Sequence, residues 1–256
     1  MKRTDLASLL ATVAITGAAW AALPAAAGAA AVPANIAAAV ADAGRPQADK
    51  DLDAARKPAE TLAFIGVKPG QRVVDVFPGP YFDRLFADAV GPSGKVYMFI
   101  PVEVTKFEKM VVPANGSAPY PDHPNVTALV APVNAFAVPE PVDVVWIRQN
   151  YHDLYDPFMG PADVPAFNKA VFKALKSGGA YVVVDHSAPD GSGKTMTNTA
   201  HRIDAAVVKK DMAAAGFTFA GESDLLRNPA DTRDKLVFDP KIKGHTDQFI
   251  YLFRKP

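Results

Sequence analysis

The chain has 256 residues and is 49% apolar, enough to bury one sizeable core in one domain. Basic and acidic residues balance at 27 each, which excludes the charge excess of a nucleic-acid binder and any acidic tail. There is no cysteine, so disulfides, a thiol nucleophile and thiolate metal sites are excluded as well.

Lys2 and Arg3 precede an uncharged, alanine-rich stretch broken by Gly17, Pro24 and Gly28. A basic start, an apolar run and then small residues predict a signal peptide over 1–30, cleaved near Ala29 or Ala31. The mature protein is then expected to be periplasmic or secreted, with no stable membrane insertion; the alternative is an anchor left uncut. Residues 31–256 are read as a single domain that opens with a helical lead-in over 31–66. In that lead-in Leu52, Ala55, Leu62 and Ile65 show helical spacing, Pro58 begins a new helix or kinks one, and Gly66 stops it. The charged run "DKDLDAARK" reads either as a lid over a site or as a solvated helix face.

From "RVVDVF" onward, strands and helices alternate. "YFDRLFADAV" is an amphipathic helix, "KVYMFIP" a second strand, "VTKFEKMV" a short helix, "VTALVAP" a third strand, and "PVDVVWIRQNYHD" holds a fourth. A helix over "PADVPAFNKAVFKALKSGG" is expected to end at Gly178 and Gly179, followed by the strand "AYVVVDHSA". "NTAHRIDAAVVKKDMAAAGF" reads as one helix, and "FTFAGESDLL" and "QFIYLFRKP" as a closing hairpin. Alternation of this kind implies a mostly parallel sheet of seven strands with helices on both faces, the last strand antiparallel.

This order resembles the Rossmann-like class I methyltransferase fold, which binds S-adenosylmethionine. The phrases "RKPAETLAFIGVKPG", "QNYHDLYD", "VVVDHSA", "HRID", "AAGF" and "HTDQFIYLFRKP" are similar to those of a family of exported predicted class I S-adenosylmethionine-dependent methyltransferases. The resemblance implies methyl transfer to a small molecule and S-adenosylmethionine as cofactor. Its contacts would be Asp75, Phe77, Gly79 and Tyr81 in the first loop, Glu103 after the second strand and Asn150 after the fourth. Glu103 reads equally as a solvated acid starting a helix.

The loop departs from the class pattern of acid-x-Gly-x-Gly-x-Gly. Asp75 is followed by Phe77, Pro78, Gly79, Pro80 and Tyr81, one residue shorter than the closer family's loop and with proline in place of a glycine. Proline offers no N–H and fixes its own φ, which weakens the cradle for a carboxylate. The same residues also make a sound strand-to-helix turn with no ligand duty.

Ligands of open α/β sheets bind at the carboxyl ends of the strands. The polar residues expected there are His152, Tyr151 and Asp153 after the fourth strand, Asp185 and His186 after the fifth, and His201 and Asp204 on one helical face three residues apart. His152 is the candidate base, with Tyr151 or Asp153 orienting a substrate hydroxyl and His186 and His201 as further candidates. Strand alternation argues against His152 and Asp153 acting together unless the chain has left the strand. No compact ligand spacing such as H-E-x-x-H is present, and the histidines would have to converge from separate elements, so no metal site is expected. His245 reads as closing over the site or merely ending a loop. Export, together with the altered loop, leaves two other functions open: a small-molecule-binding pseudoenzyme, or an enzyme that uses the His/Asp cluster without the cofactor.

Overall fold

A computed structural model describes residues 31–107, 112–160 and 162–256; the signal-peptide expectation over 1–30 and half of "VTKFEKMV" lie outside them. Val32–Pro256 form one unit. Seven strands run β1 (Arg72–Val76), β2 (Lys95–Pro101), β3 (Val126–Ala131), β4 (Val142–Arg148), β5 (Leu175–His186), β6 (Thr218–Ser223) and β7 (Gln248–Arg254). Their spatial order is β3-β2-β1-β4-β5-β7-β6. The pairs β1–β2, β2–β3, β1–β4 and β4–β5 are parallel, and β7 is antiparallel to both of its neighbours. The last two strands thus pair as expected, but the connection between them is long, running from Asp224 to Asp247. Strand order reverses between β1 and β4, and this opens a cleft at their carboxyl ends.

Burial explains the strand sequences. Val73, Val74 and Val76 of β1 and Val145 and Ile147 of β4 are fully buried, as β-branched runs covered on both faces should be. One helix crosses from β1 to β2: α5, Pro80–Val90, follows α1 (Ala34–Ala41), α2 (Gln47–Lys50), α3 (Asp53–Arg56) and α4 (Pro58–Ile65). Pro80 takes its first helical position, where a missing N–H costs nothing, and Gly91 ends it. Phe82 and Phe86 pack on Trp146 of β4 at 5.0 and 5.8 Å between centroids. Pro58 does begin a helix, but Leu52 is exposed instead of sharing the buried face of Leu62 and Ile65.

Two expectations about helix ends are corrected. The helix before β5, α6, stops at Ala174, and the chain is already extended at Leu175. Register explains this: Val142 pairs with Leu175 and Val144 with Ala180, so "KSGG" bulges out of the ladder, with Gly178 at a φ of 74°. The region read as one helix over "NTAHRIDAAVVKKDMAAAG" is two, α7 (Thr197–Ala200) and α8 (Ala205–Ala215). Between them the chain runs alongside the end of β5: Ile203 bridges Ser187, and the Ile203 N–H donates to the His186 carbonyl. Asp204 then caps α8 by accepting from the Ala206 N–H, so His201 and Asp204 share no helical face.

The break is locked by Arg202, whose side chain is fully buried. It meets Asp231, itself fully buried, at 2.9 and 3.2 Å and donates to the Ser187 and Lys235 carbonyls. One guanidinium therefore ties the β5 end, the helix break and the long β6–β7 connection together. Among the described residues no helix is long and apolar enough to cross a membrane. Arg202→Ala would leave Asp231 charged without its guanidinium partner; an expected loss of about 3–5 kcal/mol in urea unfolding checks the role of this staple.

Candidate functional site

The turn after β1 forms the centre of the cleft. Phe77 adopts a φ of 56°, the left-handed region that a glycine would occupy without strain. Gly79, by contrast, is extended at φ −138° and ψ 137°, so its backbone does not need glycine. A Cβ built on Gly79 would meet nothing within 4 Å, because the residue faces open space.

The loop offers few backbone donors. The Phe77 N–H donates to the Phe99 carbonyl at 3.0 Å, the Gly79 N–H lies close enough to Asp75 to favour its charged form, and Pro78 and Pro80 have none. Among the described residues of the loop, the Tyr81 N–H has no protein acceptor.

Two cavities flank this loop, and Phe77, Pro78 and Pro80 belong to both. One, of about 340 Å³, opens toward β4 and the lead-in; Arg56, Asp75, Gly79, Arg148 and Asn150 line it. The other, of about 630 Å³, opens toward β2 and is lined mainly by apolar groups, among them Met98, Ile100, Val104 and Phe107. The lead-in run "DKDLDAARK" thus folds over the cleft. Asp49 pairs with Arg84, Asp53 pairs with Arg45 at 2.7 Å and accepts from the Tyr81 hydroxyl at 2.6 Å, and Arg56 lies 4.3 Å over the Tyr81 ring.

Charge in the smaller cavity is unusual. Arg148 forms no carboxylate ion pair among the described residues; it donates to the Gln149 side chain at 2.7 Å. Burial, with the nearby positive Arg56, brings its pKa down to about 10. Burial lowers Arg56 as well. Two poorly neutralised guanidiniums therefore face one pocket. Beneath them Asp75 is fully buried beside Asp83 of α5. Burial, then the Asp83 charge, pushes Asp75 well above the carboxylate range. Burial raises Asp83 to about 7, although the Tyr120 hydroxyl at 3.0 Å, Asp75 and Arg84 pull it down. Two buried carboxyls in contact hold a proton between them at neutral pH.

Beyond β4, Gln149 is left-handed at φ 59° and the chain turns at once into a single 3₁₀ turn, His152–Tyr155. The chain has left the strand, so the side chains of His152 and Asp153 meet. His152 Nδ1–H donates to Asp185 at 2.8 Å, and the same carboxylate accepts the backbone N–H groups of His152 and His186, each at 2.8 Å. His152 Nε2 faces His201 Nδ1 at 3.2 Å and Asp153 Oδ1 at 3.1 Å. Asn150 donates to the other oxygen of Asp153 at 2.6 Å. Burial opposes a charge on His152, but Asp185 and Asp153 outweigh it and hold its pKa up to about 10. Burial would raise Asp153, but the two histidines hold it well below the carboxylate range.

The remaining expected residues lie apart. Tyr151 is fully buried, and its hydroxyl accepts from Asn168 at 2.8 Å and donates to Asp211 at 3.0 Å, an anchor in the α6–α8 layer and away from the cleft. Glu103 accepts the Val133 N–H with both oxygens at 3.1 Å and caps a turn; it lines neither cavity. His186 pairs with the Thr246 hydroxyl at 2.7 Å and is kept neutral by burial, its pKa near 3. His245 is exposed. Sequence reasoning missed Arg56, Arg148 and Asp83. The signal for Arg148 was present, since a lone arginine ends the apolar run "VVWIR".

No family model matches the chain, and no curated protein does. Among solved structures it is similar to a SAM-dependent methyltransferase from Aquifex aeolicus, at 17% identity over 83% of this chain and 99% of that one, with a TM-score of 0.51. It is similar to another from Mesorhizobium loti, at 18% identity over 78% and 97%, with a TM-score of 0.52. A third is the 4+2 cyclase SpnF, at 16% identity over 82% of each chain, with a TM-score of 0.56. At these identities the likeness establishes the fold, and the fold is that of the class I methyltransferases.

The buried acid pair sets a pH dependence. The shared proton is held in the folded state and lost in the unfolded state above about pH 4, so stability falls as pH rises from about 4 through 7. Urea unfolding should show a slope approaching about 1.4 kcal/mol per pH unit in that window, and replacing both acids, Asp75→Asn with Asp83→Asn, should flatten it.

Proposed function

We propose that this protein is an S-adenosylmethionine-dependent methyltransferase with a small-molecule acceptor, acting in the periplasm or outside the cell. The observation that carries the reading is the pair of chambers on either side of the β1 loop, one polar with two arginines and one apolar, at the strand-order reversal of a methyltransferase fold. The cofactor's ends differ in the same sense. Arg56, Arg148 and the Tyr81 N–H suit its carboxylate, Asn150 its amino group, and Met98, Ile100 and Val104 its adenine. When bound, the cofactor supplies an electrophilic methyl group.

The chain's own residues bind and align. Gly79 leaves room for close approach, and the lead-in helices close over the polar chamber to exclude water. Loss of one or two loop N–H donors costs about 1–3 kcal/mol each, and the charge-assisted bonds of two arginines are of the size needed to offset it. Glu103 does not support the reading, since its carboxylate is occupied by Val133. Export rests on residues 1–30, and a small-molecule acceptor is supported by the even charge balance.

A second reading has its own support. The fold also carries a 4+2 cyclase, and two of the loop residues are prolines with no N–H to offer, so the cleft serves another anionic ligand with no methyl transfer in this reading.

Calorimetric titration with S-adenosylmethionine and its demethylated product decides between them. Micromolar binding is expected, and Gly79→Ala should weaken it at least tenfold. The added methyl meets no protein atom, so thermal stability should hold or rise by about 0.4–1 kcal/mol. No binding at millimolar concentration would leave the second reading.

A further inference from the structure

We propose that His152, Asp153 and His201 form a binding site for a divalent transition-metal ion. The three donor atoms, His152 Nε2, Asp153 Oδ1 and His201 Nδ1, make a nearly equilateral triangle with sides of 3.1, 3.2 and 3.5 Å. Ligands about 2.0–2.2 Å from one ion, at angles between octahedral and tetrahedral, stand about 2.9–3.5 Å apart. Two imidazoles and a carboxylate on one side of an ion, with the other side open, are a donor set for zinc or ferrous iron; magnesium favours oxygen ligands.

Three further observations point to an ion instead of a plain hydrogen-bonded cluster. Asp153 Oδ1 is buried and has no hydrogen-bond donor aligned on it, although two imidazole nitrogens lie close. Each of the buried ligands is oriented from behind: Asp185 holds the Nδ1–H of His152, so that Nε2 is the atom at which an ion would replace a proton, and Asn150 holds the second oxygen of Asp153. His201, third, caps the C-terminus of α7 in the left-handed region at φ 53° and ψ 51°, a backbone position from which its Nδ1 reaches the other two donors.

Access is graded. The side chains of His152 and Asp153 are 2% and 8% exposed, whereas that of His201 is 30% exposed under the ring of Phe238, 5.1 Å away. An ion would be seated against the protein on one side and reachable from the other, and an oxygen ligand in its open position would be polarised. Asn150 lines the polar chamber while holding Asp153, so the site lies one side chain from the proposed ligand cleft. The inference needs no cofactor and stands apart from the methyl-transfer reading.

The test uses purified protein stripped with a chelator. Titration with Zn²⁺ should give one ion per chain at sub-micromolar dissociation constant, with no heat from Mg²⁺ at the same concentrations. Co²⁺ in its place should give visible absorption bands. His201→Ala and Asp153→Asn should each weaken Zn²⁺ binding at least a hundredfold and Asn150→Ala roughly tenfold to a hundredfold, while the exposed His245→Ala leaves it unchanged. Absence of Co²⁺ bands in the unmutated protein would overturn the proposal, whatever the variants do. So would Zn²⁺ binding that His201→Ala, shown folded by circular dichroism, leaves as tight as before.

Discussion

The arrangement of the whole cleft rests on one carboxylate. Asp185, at the end of β5, accepts from two backbone N–H groups and one imidazole N–H. Because it is fully buried, these bonds form without competition from water, and each is charge-assisted. Two of them reach the turn after β4. They fix where the chain leaves that strand, and with it Asn150, His152 and Asp153. Remove the acceptor and the β4 turn loses its register against β5, so both the polar chamber and the histidine triangle lose a wall.

A second layer of constraint acts on the other side of β1. There the fold buries more charge than it neutralises: two guanidiniums in one chamber and two carboxyls in contact under the loop. The carboxyls resolve the conflict by keeping a proton. The guanidiniums have no such route, because arginine stays protonated in proteins. An anion placed between them would relieve their repulsion.

The sheet was legible in the sequence because its signals are local. "RVVDV", "VDVVWIR" and "YVVVD" are buried on both faces and look it, and helices with proline at the start and glycine at the end announce their bounds. The misreadings share a cause. The break at His201–Asp204 follows from a bridge to Ser187 and from Arg202 meeting Asp231, contacts between residues far apart in the chain that periodicity cannot carry. Adjacency in sequence did not show that the Tyr151 hydroxyl meets Asp211 and Asn168 while its neighbour His152 meets Asp185. Spacing likewise gave no hint that His152 and His201 meet, since a left-handed residue brings them together. Of the loop, the missing donors were readable from Pro78 and Pro80. The left-handed backbone of Phe77 was not.

Those two prolines have one more consequence. Pro78 and Pro80 each fix their own φ already in the unfolded chain, so this turn has less freedom to lose on folding than a glycine-rich loop of the same length. The cost falls instead on Phe77, which must enter the left-handed region directly before a proline. The turn is thus stiff at the prolines and strained at the residue that precedes them.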